Sequence, residues 1–365
     1  MYSNTKLKRI KLPKVKEIGS NFLYYNNGIK KISFPKLERV LDGFLKENDA
    51  LEYVNLPKLK TIGSYFLSCN SILEELSLPN VERIGSSFLC YNEILKRINL
   101  PKVKEIENYF LEHNDALTSI SLPNTEFIGN HFLRWNTTLV EDGCIDLPKV
   151  KEIGQNFLLR NICLQGISLP EVERVSFEFL SSNKHLCRIE LPKVKSIGSS
   201  FLEKNIGLKK LSLPNVEIIS DLFLYNNKCL HSIELPKACE IHGDFLYSNL
   251  LLRRIELPNA VIIGQNFLYN NKALGYINIP KVKKISDGFL YENRCIQKLS
   301  LPNVGEIGNE FLYNNRILHA IDVPNIAEVG ENFLFHNENP EFLQIMKSSK
   351  QKLDYYWYLA LQKKF

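Results

Sequence analysis

The side chains able to do chemistry are few and dispersed. Seven histidines and eight cysteines stand among 365 residues. None of them forms a metal-spaced Cys/His cluster, an HExxH, a GxSxG or a glycine-rich phosphate loop, so no cofactor is expected. A mildly acidic series, Asp146, Glu190, Glu234 and Glu256, is interrupted mostly by serine. It falls short of the paired acids and bases that a polysaccharide lyase or hydrolase would need on adjacent strands. What remains are side chains that bind rather than react. Trp135 stands beside an insertion that carries Glu141 and Asp142. Tyr225, Tyr247, Tyr269, Tyr291 and Tyr313 recur at a fixed interval, continued by Phe335. Arg9, Lys31, Arg97, Lys210 and Arg254 are each part of a basic pair or stretch.

All of these are placed by one repeat. Proline falls at Pro13, Pro35, Pro57, Pro79, Pro101, Pro123, Pro148, Pro170, Pro192, Pro214, Pro236, Pro258, Pro280, Pro302 and Pro324. Every step is 22 residues except the one from Pro123 to Pro148, which is 25. Phe and Leu follow nine and ten residues after each proline, and Asn four residues after each Phe. A period of this length means a solenoid or propeller. Within one unit, Ile98 and Leu100 alternate with polar residues as a short half-buried strand, which Pro101 closes. Val103 and Ile106 face inward along a second extended piece. The residue after that Ile is Gly in nine of fifteen copies, a position suited to a tight turn. Phe-Leu-x-x-Asn is expected as a compact helical or 3-10 turn that takes both apolar side chains inside. The Asn column is expected to form a ladder, each amide bonding the turn backbone and the next amide.

The motif I-G-x-x-F-L-x-x-N-x-x-L-x-x-I-x-L-P resembles the BspA-like (Treponema-type) leucine-rich repeats, whose pattern is close to I-G-x-x-A-F-x-x-C/N-x-x-L-x-x-I-x-I-P. The likeness spans residues 7–338. Phe-Leu replaces Ala-Phe, and this unit is one residue shorter. The resemblance implies a right-handed leucine-rich-repeat superhelix of mostly short β-strands. It also implies a non-enzymatic protein of adhesion or partner binding. Residues 1–338 are therefore expected as one solenoid of fifteen coils, and 339–365 as a C-terminal helical cap. Asn339-Pro340 would open that helix, and Phe342, Ile345, Met346, Leu353, Tyr356, Trp357, Ala360 and Leu361 would face the last coil.

Charge carries a second period of two coils. Three residues after each proline the chain runs Lys16, Glu38, Lys60, Glu82, Lys104, Glu126, Lys151, Glu173, Lys195, Glu217. The next position, beginning Glu17, Arg39, Thr61, Arg83 and Glu105, runs out of phase with it. Opposite charges on successive coils attract weakly. From Cys239 onward the alternation stops. The net charge is +6, with about +7 in residues 1–31 and +3 in 339–365, which leaves the body near −4. A nucleic-acid groove would run basic along the stack, so no nucleic acid is expected as a partner. No apolar run approaches a membrane span, and the first residues lack the apolar core of a signal peptide. Cys163, Cys229 and Cys295 share a column three coils apart, roughly 14 Å at ~4.8 Å per coil, too far to bond. Free thiols in a reducing compartment are expected.

These features favour a monomeric protein-binding scaffold, cytoplasmic or delivered into another cell. A cell-surface adhesin or carbohydrate-binding module is the alternative, and a structural spacer the third reading. Function is expected where the repeat is broken. Those places are the insertion beside Trp135, with the indole exposed; the tyrosine stripe, as ring platform or stabilising ladder; the outward basic residues of the short strands; and the lysine-rich first coil, whose charge also discourages edge-to-edge pairing.

Overall fold

Each 22-residue sentence folds into one coil with two parallel strands. The structure is a computed structural model and describes residues 4–139 and 144–337, with Cys144 described in backbone alone. The chain divides into two units, Met1–Lys193 and Val194–Phe365, each a parallel β-solenoid. The proposed C-terminal cap at 339–365, and Glu141 and Asp142, lie outside the described residues.

A two-residue strand holds the Ile that follows Pro by five positions, as in Glu17–Ile18, Arg39–Val40 and Thr61–Ile62. A three-residue strand precedes the proline, as in Lys31–Ser33 and Tyr53–Asn55. Pairing is parallel and in register with the repeat: Glu17 opposes Arg39, Ile18 opposes Val40, and Ile32 opposes Val54. In the first unit the two-residue strands from Glu17–Ile18 to Glu152–Ile153 make one seven-stranded sheet. Alternate residues turn inward, so the central residue of most three-residue strands is buried while its neighbours face water, as in Lys31–Ser33 and Glu75–Ser77. Arg9 lies ahead of the first strand, in irregular chain.

The Phe-Leu-x-x-Asn segment is neither α-helical nor 3-10. In every described coil three alternate residues take left-handed backbone, for example Asn21, Leu23 and Tyr25 with φ of 56°, 56° and 55°. The reason lies in hydrogen bonding. A helical turn would keep its bonds within one coil, whereas here they run between coils. The Leu45 N–H donates to Phe22 O of the preceding coil at 3.0 Å, while Gly43 and Glu47 donate to Ser64 O and Ser68 O of the following coil at 2.8 and 2.9 Å. Each left-handed L-residue costs roughly 1–2 kcal/mol, offset by these bonds and by burial of Phe and Leu.

The Phe rings stack coil on coil. Centroids lie 6.0 Å apart at Phe22–Phe44 and 5.2 Å apart at Phe157–Phe179 in the first unit, and 5.5 Å apart at Phe201–Phe223 in the second. Each near-parallel pair adds about 0.5–1.5 kcal/mol beyond its buried area. The Asn column is fully buried from Asn26 to Asn315, but its amides bond backbone, not one another. Asn92 accepts from the Asn70 N–H at 3.0 Å, and donates to Leu67 O at 3.0 Å and to Cys90 O at 3.2 Å. One side chain therefore ties its own turn to the coil before it.

The frequent Gly after the inward Ile is not a left-handed turn residue; none of these glycines has positive φ. It permits close approach of coils. A Cβ on Gly85 would lie 2.7 Å from the Gly63 carbonyl carbon, and one on Gly264 would lie 2.5 Å from backbone atoms of His242 and Gly243.

Candidate functional site: an aromatic face on the first unit

Most coils place polar or small residues at the outer left-handed positions, eight and twelve residues after the proline. Asn and Gly there, such as Asn21, Gly43 and Asn156, adopt positive φ at little cost. Four successive coils of the first unit differ. They carry Tyr65, Tyr91, Tyr109, His113, His131 and Trp135, with φ between 56° and 62°. Tyr65, Tyr91 and Tyr109 are exposed.

Five of these rings form two short stacks, while the Lys46 ammonium lies over Tyr65 at 4.9 Å. Tyr91 lies 4.8 Å from His113, and His113 lies 5.5 Å from Trp135, the planes within 14°. Tyr109 lies 4.4 Å from His131. The Arg160 guanidinium covers the far face of this run, 4.2 Å from the Trp135 ring. Trp135 is consequently half-buried, not exposed as its column suggests. Between the stacks, Arg134 reaches the buried Glu112 at 3.3 Å. Burial holds the His131 imidazole below its ordinary range, with Arg134 adding to the effect. Burial, and then the Glu112 charge, raise the Tyr91 phenol. The Cys90 thiol is pushed up to about 12, again chiefly by burial.

The stacking decides what the face can bind. A sugar stacks on a free aromatic face. Here both faces of His113 are covered by rings, and Trp135 is covered by His113 and Arg160. Ring edges, phenol hydroxyls and a guanidinium point outward instead. That set matches the aromatic and arginine composition of protein interfaces.

The tyrosine stripe of the second unit is a ladder. Tyr225, Tyr247, Tyr269, Tyr291 and Tyr313 follow one another at 5.0, 4.5, 4.5 and 4.4 Å, and Phe335 continues at 5.6 Å. All are half-buried, and their faces are turned to one another. Burial first, then neighbouring phenols, raise Tyr247, Tyr269 and Tyr291 above the ordinary phenol range.

The basic candidates do not converge. Lys31, Arg97, Lys210 and Arg254 each begin a three-residue strand and are exposed. Arg97 lies 3.4 Å from Glu75, and Lys30, beside Lys31, lies 2.8 Å from Glu52. Arg254 is paired with Glu256 and lies over Tyr276 at 4.4 Å. Alternating charges on and just before the two-residue strands form ion pairs, including Lys16–Glu38 at 3.8 Å and Arg83–Glu105 at 2.7 Å. In the second unit a shallow groove of about 590 Å³ is lined by Gln265, Lys284, Ser286, Asp287, Glu306 and Glu328. Two of its three carboxylates are engaged in structure: Glu306 with Lys284 at 2.7 Å, and Asp287 accepting from the Asn309 N–H at 2.7 Å. Among the described residues no three His, Cys, Asp or Glu side chains gather as a metal site. Seven cysteines are free thiols.

Sequence reading singled out Trp135 and missed Tyr65, Tyr91, Tyr109, His113 and His131. The available signal was aromatic residues at two alternate columns of adjacent coils.

The coil motif and the parallel stack define a leucine-rich-repeat solenoid. The BspA type leucine-rich repeat region, a family pattern of six copies, matches residues 1–117, 104–229, 151–274 and 216–341; the chain belongs to this family. A leucine-rich repeat protein from Bacteroides ovatus has a similar structure, with TM-score 0.50 and 19% identity over 87% of this chain and 84% of that one. At that identity the likeness concerns the fold alone. The pneumococcal vaccine antigen PcpA aligns at TM-score 0.28 and 14% identity, over 92% of this chain and 81% of that one. No curated protein matches the chain in sequence.

Proposed function

We infer that this protein is a non-enzymatic binding scaffold whose aromatic face, centred on Trp135, engages a protein partner. One observation carries the reading. Six rings occupy left-handed backbone positions in four adjacent coils, whereas the other described coils carry only two rings, Tyr25 and His336, at these two columns. Stacking offsets part of the backbone cost, but a purely structural solenoid could avoid it with Asn. Family membership supports a binding role, and the covered ring faces favour a protein partner over a carbohydrate. The free thiols fit a reducing compartment, in the cytoplasm or after delivery into another cell.

The test is partner capture from the native host, followed by titration of the purified partner and a glycan array in parallel. A saturable protein partner is expected. Trp135→Asn should lower its affinity at least about tenfold, as loss of an interface anchor does, and leave thermal unfolding unchanged. Glycan binding without a protein partner, or unchanged affinity in Trp135→Asn, would overturn the reading.

A further inference from the structure

Between each buried Asn and the three-residue strand that follows it, three positions are mostly exposed: one, four and five residues after the Asn. In the first unit partners form across neighbouring coils at all three. Ser71 donates to Asp49 at 3.2 Å, and Thr137 to Asp115 at 3.0 Å. Lys96 meets Glu74 at 2.9 Å, and Arg97 meets Glu75 at 3.4 Å. Side chains one coil apart therefore reach one another on this face. In the second unit the same positions carry no Asp or Glu between residues 194 and 337. Lys228, Arg253, Lys272, Arg294, Lys298 and Arg316 occupy five successive coils instead, all exposed. None of the six forms an ion pair among the described residues. Lys272, Arg294 and Arg316 share one column, like charges on coils ~4.8 Å apart, which repel. The bordering carboxylates are engaged or withdrawn. Glu256 pairs with Arg254, Glu234 and Asp322 accept from the Ser212 and Ser300 hydroxyls at 3.0 Å, and Glu292 is half-buried.

We propose that this strip is a second docking surface, which takes an acidic, partly apolar segment of another polypeptide laid along the coils. Charge complementarity sets the sign of the partner. Five successive coils of one sign leave a positive face that the fold does not neutralise, whereas the first unit neutralises the same positions. From Lys228 to Arg316 the strip runs four coil steps, about 19 Å, the length of about thirteen helical residues. Leu251 and Ile317 are exposed within it, among the charges. That mixture fits a polypeptide with both acidic and apolar side chains. A sulfated polysaccharide has no apolar side chains to cover them, and nucleic-acid bases need a free ring to stack on. The exposed ring of the strip, Tyr276, stands between Arg254 and Lys298 in its column and has Arg254 over it at 4.4 Å. The strip lies wholly in the second unit and the Trp135 face in the first, so neither proposal rests on the other.

Fluorescence anisotropy of the full chain tests the proposal, with a labelled peptide of about twelve residues built from Glu-Glu-Leu repeats. Saturable binding is expected, weaker at about 150 mM salt than at about 20 mM. Lys272→Glu with Arg294→Glu and Arg316→Glu should lower the affinity at least about tenfold. Lys14→Glu with Lys36→Glu and Lys58→Glu changes net charge equally from the first unit and should lower it less than about threefold. Trp135→Asn should bind the peptide as wild type does. Heparin and single-stranded oligothymidine should compete more weakly than unlabelled peptide. Arg294→Glu alone sets a carboxylate between two cations and should raise the melting temperature, because pairing replaces repulsion. Four results would overturn the proposal: no saturable peptide binding, equal losses in the two triple variants, loss of binding in Trp135→Asn, or tighter binding of heparin or oligothymidine than of peptide. Lower melting in Arg294→Glu would also overturn it, by showing that the fold already neutralises the strip.

Discussion

Replacing Asn92 by Ala tests the account of what joins the coils. The Asn92 amide makes three hydrogen bonds, and they are not equivalent. The Asn70 N–H donates to it at 3.0 Å, and no second acceptor is present for that buried donor. The two carbonyls it donates to keep other partners: Leu67 O accepts from Asn70 Nδ2 at 2.7 Å, and Cys90 O accepts from the Cys69 N–H at 2.8 Å. The substitution thus orphans one buried donor, at about 1–3 kcal/mol, and removes two further bonds worth about 0.5–1.5 kcal/mol each. The expected loss is about 4 kcal/mol, within a range of roughly 2–6. Urea unfolding of full-length protein, followed by circular dichroism at neutral pH, reads it directly. Asn92→Asp adds a sign test. Its carboxylate could still accept from Asn70, but it would be buried and would face two carbonyl oxygens. Its folded pKa would lie above the unfolded value near 3.9. The protein should therefore be more stable when that group is protonated and should lose stability as pH rises from about 4. A loss below about 1 kcal/mol for Asn92→Ala, or equal stability of Asn92→Asp at pH 4 and pH 7, would refute the bridging role.

Further outcomes follow from the same geometry. The raised phenols of Tyr247, Tyr269 and Tyr291 hold their protons where an unfolded tyrosine, near pH 10, gives its own up. Their stabilisation is full below that pH and is lost as pH rises through the folded values. Spectrophotometric titration should show a late-ionising tyrosine class, and simultaneous titration of all tyrosines would contradict the ladder. Gly264→Ala places a methyl 2.5 Å from neighbouring backbone and should cost about 1–3 kcal/mol; an unchanged denaturation midpoint would remove the close-approach explanation. Mass-spectrometric mapping of iodoacetamide labelling should find the exposed Cys187 and Cys295 modified early and the buried Cys90 late. Comparable rates would mean that this part of the stack opens readily.

The stack was legible because its determinants recur. A proline every 22 residues, an inward Ile, and the Phe-Leu pair each fix one part of the coil, and Phe22 and Leu23 lie where their apolarity requires. The turn was not legible, because spacing alone does not separate a helical turn from alternating left- and right-handed residues. Both bring two adjacent apolar side chains inside, and only the demand for hydrogen bonds between coils selects the second. The glycine column misled for a related reason: close approach and positive φ both favour Gly. Trp135 stood out as a large ring in a mixed column, but its half-burial depends on Arg160 and His113, one coil to either side. Tyr109 and His131 belong to a different column from Tyr91 and His113, so their proximity emerges only when the coil is closed.

The two aromatic groups resemble each other in stacking distance and differ in backbone. Tyr225 to Tyr313 sit eleven residues after their prolines, between two left-handed positions but not at one; none of the five has positive φ. Stacking there incurs no conformational cost, and packing alone accounts for the choice of tyrosine. Trp135, His113 and Tyr91 sit one residue further on, at φ of 62°, 56° and 58°. A bulky side chain in that region costs on the order of 1 kcal/mol or more, and the stack returns about as much per ring pair. Packing therefore leaves little net reason to prefer these rings to the Asn found at Asn226, Asn270 and Asn314 in the same column. The partner proposed for the Trp135 face would account for the difference.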